Sequence, residues 1–318
     1  MFYSIQHLTQ FRYDSPVSES LMEVRMHPRT EGPQRCISFQ LSVSPRAHVS
    51  SYRDYLGNTV HHFDVPGKHN LLRIVAETLV EVQSLPELPD CLSASAWEEL
   101  DSLVAEGDYW EMLAPSQFAQ PTPHLAGLIE DLRVERRNDP LSFLRELNGA
   151  IYDWFDYVPK ATRVDSPIDH AIEARKGVCQ DFAHIMTALV RHVRIPCRYV
   201  SGYVYPRAKN RDRSWEGATH AWVEALLPAL GWVGFDPTNN LTASDRHVRT
   251  ATGRDYSDVP PTKGIFKGKA ASDLTVSVRV ALSGAPPPLE VELSKPPVWQ
   301  DAPASDPIEI EQQQQQQQ

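Results

Sequence analysis

In Ile37-Ser38-Phe39-Gln40-Leu41-Ser42-Val43 apolar and polar residues alternate without a break, the period of a strand with one buried face. Tyr3, Ile5, Phe11 and Tyr13 share one parity in the opening segment, and Leu72, Ile74, Ala76, Thr78, Val80 and Val82 form another such face. Leu56-Gly57-Asn58-Thr59 supplies a turn from residues that tolerate positive φ. Short strands separated by turns predict a β-sandwich over residues 1–84.

The pattern then changes. Leu85-Pro86-Glu87-Leu88-Pro89-Asp90 reads as a linker, and a helical segment over residues 85–160 leads into a core at 161–283. Asp139 can cap a helix with Pro140 at its first position, after which Leu144, Leu147, Ile151, Trp154 and Phe155 lie on one face. Ser166-Pro167-Ile168-Asp169 is a second helix start, closed by Gly177. A third helix runs from about Cys179 to Arg194, with Phe182, Met186, Leu189, Val190 and Val193 as its buried stripe, and Ile195-Pro196 stops it. The period returns to two over 197–205, 218–227 and 231–236, and again at Leu274, Val276, Val278, Val280 and Leu282. Helices followed by strands indicate an α+β domain with an antiparallel sheet. Residues 284–318 are proline-rich and acidic, end in glutamines and read as a tail without a packed core.

The 318 residues suffice for about two domains. Lys and Arg total 31 against 41 Asp and Glu, a net charge of −10, which argues against a nucleic-acid partner. No run approaches the ~20 apolar residues that span a bilayer, and the first residues have neither the basic nor the apolar region of a signal peptide. The four cysteines form no CxxC pair. These features lead to the expectation of a reduced, soluble, cytoplasmic protein with no membrane partner. No metal or other cofactor is expected: adjacent His61 and His62 point to opposite faces of a strand, and no carboxylate cluster has calcium-loop spacing.

Cys179 stands at the start of an apolar helix, where the positive end of the macrodipole favours an anion. His220 lies on a strand face shared with Trp222, and Asp236 ends the next strand, so two antiparallel neighbours bring them together. The implied arrangement is a Cys179–His220–Asp236 triad, in which the histidine takes the thiol proton, the aspartate holds the imidazole and the sulfur attacks a carbonyl carbon. His184 is a rival base, but five helical residues turn it about 140° from Cys179. Cys36, Cys91 and Cys197 read as ordinary cysteines. The backbone N–H of Cys179 is an oxyanion donor, because a helix start leaves it free. Trp154, Trp215, Trp222 and Trp232 could border an acyl-substrate tunnel, supply an oxyanion donor or simply pack, and the basic loop 207–213 could gate the cleft or be solvated.

Gly177-Val178-Cys179-Gln180-Asp181-Phe182-Ala183-His184, Arg198-Tyr199-Val200-Ser201-Gly202-Tyr203, Thr219-His220-Ala221-Trp222-Val223-Glu224 and Gly231-Trp232-Val233-Gly234-Phe235-Asp236-Pro237-Thr238 together resemble the bacterial branch of the transglutaminase-like superfamily. Tyr13-Asp14-Ser15-Pro16-Val17, Asp54-Tyr55-Leu56-Gly57-Asn58 and Gly253-Arg254-Asp255-Tyr256-Ser257-Asp258-Val259-Pro260-Pro261 extend the resemblance over roughly residues 1–282. It implies a papain-like core with the triad on Cys179, His220 and Asp236. The superfamily includes cross-linkers, proteases and amidases, so the resemblance fixes the acyl-thiol chemistry better than the substrate. The expectation is a thiol enzyme acting on a peptide or protein amide and releasing its acyl group to water. The alternatives are a protein-glutamine gamma-glutamyltransferase and a silent peptide-binding module.

Overall fold

A computed structural model describes residues 1–206, 212–213 and 217–284. Trp215, most of the basic loop 207–213 and the tail from 285 lie outside the described residues. The chain opens with four strands, β1 (Phe2–Val24), β2 (Gln34–Ser44), β3 (Ser50–Arg53) and β4 (Thr59–Val82). Helices α1 (Ala96–Glu106), α2 (Trp110–Leu113), α3 (Pro123–Leu132) and α4 (Pro140–Trp154) follow. Short strands β5 (Asp156–Tyr157) and β6 (Lys176–Gly177) flank α5 (Ile168–Ala174), and α6 (Cys179–His192) begins directly after β6. Then come β7 (Cys197–Val204), β8 (His220–Leu227), β9 (Gly231–Asp236), β10 (Leu241–Thr242) and β11 (His247–Gly253). A single 3-10 turn at Tyr256–Asp258 precedes β12 (Thr262–Lys267) and β13 (Ser272–Ser283).

The first sheet runs β12-β1-β4-β2, with β13 also on β1 and β3 on β4. Strands β1 and β4 reach 23 and 24 residues because they stay paired through register shifts between Arg12 and Glu19. Extra residues there bend a strand, and the residues before and after the shifts (Tyr13, Leu72 and Ile74 on one side, Met22, Val24 and Phe63 on the other) share a single apolar cluster. The expected sandwich is thus made by one continuous sheet.

Residues 262–283 need a correction. Chain order put them in the C-terminal core, whereas β12 and β13 pair with β1, from Val24↔Thr262 to Phe2↔Ser283. An alternating strand reveals which face is buried but not which strand it joins.

The second sheet runs β10-β9-β8-β7-β11 and is antiparallel throughout. Ala221, Val223, Ala225 and Leu227 of β8 enter the main core with Phe182, Met186 and Leu189 of α6. The alternate residues His220, Trp222 and Glu224 have the opposite parity. Asp139 caps α4 as expected, accepting from the N–H groups of Leu141 and Ser142 at 3.0 and 3.2 Å. Helix α5 ends on Arg175, at φ 51°, rather than on Gly177, which lies in β6.

The two sheets meet along β11. Two side-chain amides of the N-terminal region imitate a strand there. Gln34 accepts from the Arg249 N–H and donates to its carbonyl, each at 2.8 Å. Asn58 does the same at Thr252, at 2.8 and 2.9 Å. The edge strand's buried backbone groups are thereby paired. His7 of β1 adds a bond between its Nδ1 and the Tyr203 hydroxyl of β7, at 2.9 Å.

Candidate active site

Cys179 is the first residue of α6, half-buried and packed against the main core. Two residues later Asp181, buried, turns its Oδ2 back to accept from the Val178 N–H at 2.8 Å and the Thr162 hydroxyl at 2.5 Å. This is the acidic half of a capping box; Val178 has no oxygen with which to reciprocate. Gly177 makes room for it, since a Cβ there would lie 2.8 Å from that Oδ2. Burial pushes the Asp181 carboxyl above its ordinary value, against the bonds from Thr162 and Val178.

His220 and Asp236 come from neighbouring antiparallel strands, as their spacing implied. The Nε2–H of His220 donates to Asp236 Oδ2 at 2.8 Å, and both side chains are buried. Burial by itself would lower the His220 pKa; the Asp236 carboxylate, and then Cys179, outweigh it and hold the ring above its ordinary value. Asp236 shows the converse: burial works to raise it, yet the charge of His220 and the surrounding donors hold it well below the usual carboxylate range. With Nε2 committed to Asp236, Nδ1 is left on the side of Cys179. Among the described residues Nδ1 has no partner within hydrogen-bonding distance, and Cys179 comes near enough to favour the protonated ring. A contact of this kind can tighten when substrate binds.

Asp236 is held on every side. Its Oδ1 accepts from the Thr238 and Asn239 N–H groups at 3.1 and 3.3 Å, and its Oδ2 from the Asn239 amide at 2.8 Å. The Asn239 side-chain Oδ1 in turn accepts from the Arg213 backbone N–H at 2.8 Å, and the Arg213 guanidinium donates to the backbone carbonyls of Tyr152 and Phe155 where α4 ends. A second histidine, His247 of β11, reaches Asp236 Oδ2 through Nε2 at 3.3 Å. The sequence carries a signal for Asn239, a polar turn after a strand-ending aspartate, but none that sets His247 apart from any other histidine.

The remaining expected groups sort plainly. His184 is buried under Phe118, their rings stacked with centroids 5.2 Å apart, and its Nε2 accepts from the Tyr256 N–H at 3.1 Å. Trp222 is wholly buried, stacked on His220 at 6.2 Å, so it packs and does not wall an open approach. Trp154 sits at the core margin under the Arg175 guanidinium, and Trp232 under that of Arg198. A cavity of about 850 Å³ lies against Trp222, Glu224, Trp232 and His247, without Cys179. A smaller one of about 500 Å³, lined by Asp156, Tyr157, Val158, Lys176 and Arg213, adjoins the short strand that leads into Cys179.

A helix that starts on a cysteine, packed on an antiparallel sheet carrying a histidine–aspartate pair, defines a papain-like, transglutaminase-like fold. Residues 130–237 match the family described as the transglutaminase-like superfamily, and residues 3–81 the bacterial transglutaminase-like N-terminal region. An uncharacterized protein of Mycobacterium leprae is 34% identical over 284 residues, 87% of this chain and 97% of that protein. The chain belongs to the transglutaminase-like superfamily. A Pseudomonas aeruginosa protein named protein-glutamine gamma-glutamyltransferase is 31% identical over 122 residues, 36% of this chain but 18% of that protein. A solved structure from Cytophaga hutchinsonii, presented as "a Putative Cysteine Protease", shares the fold with a TM-score of 0.69 at 21% identity, over 90% of this chain and 93% of the other. No helix among the described residues is long and apolar enough to cross a membrane.

Proposed function

We propose that the protein is a thiol enzyme that cleaves an amide bond of a peptide or protein through a thioester on Cys179, resolved by water. The observation that carries this reading is the placement of Cys179, at a helix start, next to the free side of an imidazole whose other nitrogen is bonded to a buried carboxylate. The Cys179 proton passes to His220 Nδ1 as Sγ attacks the carbonyl carbon. The resulting oxyanion meets the Cys179 backbone N–H, which a first helical position leaves without an intrahelical acceptor. Collapse breaks the C–N bond, and the amine leaves with the proton from Nδ1. Water then gives a proton to the same nitrogen and attacks the thioester, the C–S bond breaks as Nδ1 returns that proton to Sγ, and a carboxylic acid departs.

The second reading is transfer of the acyl group to an amine, favoured by the name of the Pseudomonas relative. Water at about 55 M outcompetes an amine unless the site binds and orients the amine, an effective-molarity effect. Trp222, the residue nearest His220 that could have narrowed the approach, is wholly buried. A glutamine-containing peptide library offered with a millimolar primary amine, read by mass, tests both. Acid product dependent on Cys179 supports hydrolysis. A pool dominated by the amine adduct and lost in Cys179→Ala establishes transfer, and no turnover with either leaves a peptide-binding module.

A further inference from the structure

We infer that His247 is a positioning residue for the His220–Asp236 pair, acting as a neutral hydrogen-bond donor to the same carboxylate oxygen that His220 uses. The inference rests on the thiol-enzyme reading and deepens it. Among the described residues each ring nitrogen of His247 has one hydrogen-bond partner, and the partners fix the tautomer. The Ser244 N–H donates to Nδ1 at 3.1 Å, so Nδ1 carries the lone pair. Nε2 therefore carries the hydrogen and points it at Asp236 Oδ2, 3.3 Å away. The ring is buried and meets the face of Trp222 edge-on, with centroids 5.3 Å apart, so it has little freedom to turn. Burial above all favours its neutral form. Burial lowers its pKa against the pull of Asp236, with His220 on β8 and Arg246, next to it in the chain, adding to the lowering; Arg246 is itself paired with Asp212.

A neutral donor in this place does what a second cation could not. It fixes the position of Oδ2 and supports its negative charge without competing with His220 for protonation. His220 is then held in one ring orientation, with Nε2 on the carboxylate and Nδ1 toward Cys179. The contact comes from β11, a strand on the far side of β7 from β8, so it ties the pair to the edge of the sheet that the N-terminal region docks against.

Two substitutions separate this role from a merely structural one. In His247→Asn the side-chain oxygen stands near the old Nδ1 and can still accept from Ser244, but nothing reaches Asp236. In His247→Gln the amide nitrogen stands near the old Nε2 and can donate to Asp236, while the Ser244 contact is lost. The readout is the rate of Cys179 alkylation by iodoacetamide at neutral pH in the full chain, measured by peptide mapping, with the far-downfield proton resonance of a His–Asp bond as a second signal. The expected result is that His247→Gln stays within a few-fold of the unaltered protein and keeps the resonance. His247→Asn, with an unchanged circular dichroism spectrum, slows about ten- to a hundredfold, the worth of one hydrogen bond to a charged group, and loses the resonance. An asparagine variant as fast as the unaltered protein, the reverse order, or equal losses in both variants overturns the inference. An unaltered Cys179 that reacts no faster than Cys91 overturns the thiol-enzyme reading and this inference with it, an outcome visible before any variant is made.

Discussion

Cys36 and Cys197 are pushed up to about 11 by burial, while Cys179 stands half-exposed at a helix start beside an imidazole. Reaction with iodoacetamide near neutral pH follows the thiolate. Cys179 should therefore be the first thiol labelled in the folded protein, ahead of the exposed Cys91; peptide mapping that finds Cys36, Cys91 or Cys197 labelled first removes it as the nucleophile. His220→Ala should abolish amide cleavage with the fold intact, because the imidazole moves every proton. Asp236→Ala should be milder, leaving measurable turnover after a loss of roughly 10⁴-fold, since the aspartate orients and stabilises but does not itself exchange the proton. Steady-state kinetics on both variants, with melting curves to confirm folding, checks the order. At this scale three residues of the site are legible in the sequence because each sits at a position that strand and helix periods define. His247 is legible only in three dimensions, for its role is set by an oxygen on another strand, whereas Asn239 follows Asp236 in the same turn.

Helix α4 shows how far an element can be read from its ends. Asp139 and Pro140 mark its start, and the structure adds a third bond to the cap, from the Ser142 hydroxyl to Asp139 Oδ2 at 2.6 Å. Asp139→Ala should cost about 1 kcal/mol of stability, the usual worth of an N-cap. Because Arg213 is tied to the carbonyls at the other end of the same helix, catalytic rate should change much less than the melting point. A large loss of activity at full stability would mean that the helix start reaches the site. The helix start at Cys179 and the strands over residues 197–236 were equally legible, each bounded by a proline, a glycine or a change of period. The partner of β13 was not. Alternation fixes a face, while pairing with β1 is decided by contacts between distant parts of the sequence, such as Tyr3↔Leu282, and no local pattern encodes those.

For the whole molecule, stability toward acid is set partly where the two sheets meet. His7 is buried there, accepting or donating to Tyr203, and burial lowers its pKa from 6.5 to about 4. The unfolded chain binds the proton more readily, so this contribution is complete above pH 6.5, shrinks as pH falls toward 4 and changes no further below that. The gap corresponds to roughly 3 kcal/mol. His61, lowered to about 4 mainly by burial, acts in the same window. Glu31 takes over lower down: burial works to raise it, but Arg198 and Arg29 hold it at about 2, so its stabilisation is lost between pH 4.5 and 2. Urea unfolding at a series of pH values should show stability falling below pH 6.5, with a shallower fall in His7→Gln; equal slopes would place the acid sensitivity elsewhere. The return of β12 and β13 to β1 bears on something else, the order in which the chain is made. A ribosome delivers β1 well before β13, so one long edge of β1 waits unpaired while the helices and the second sheet emerge and fold. Unpaired edges recruit other chains. The half-made protein thus carries a risk of association along β1, and that risk ends only when β13 clears the exit tunnel.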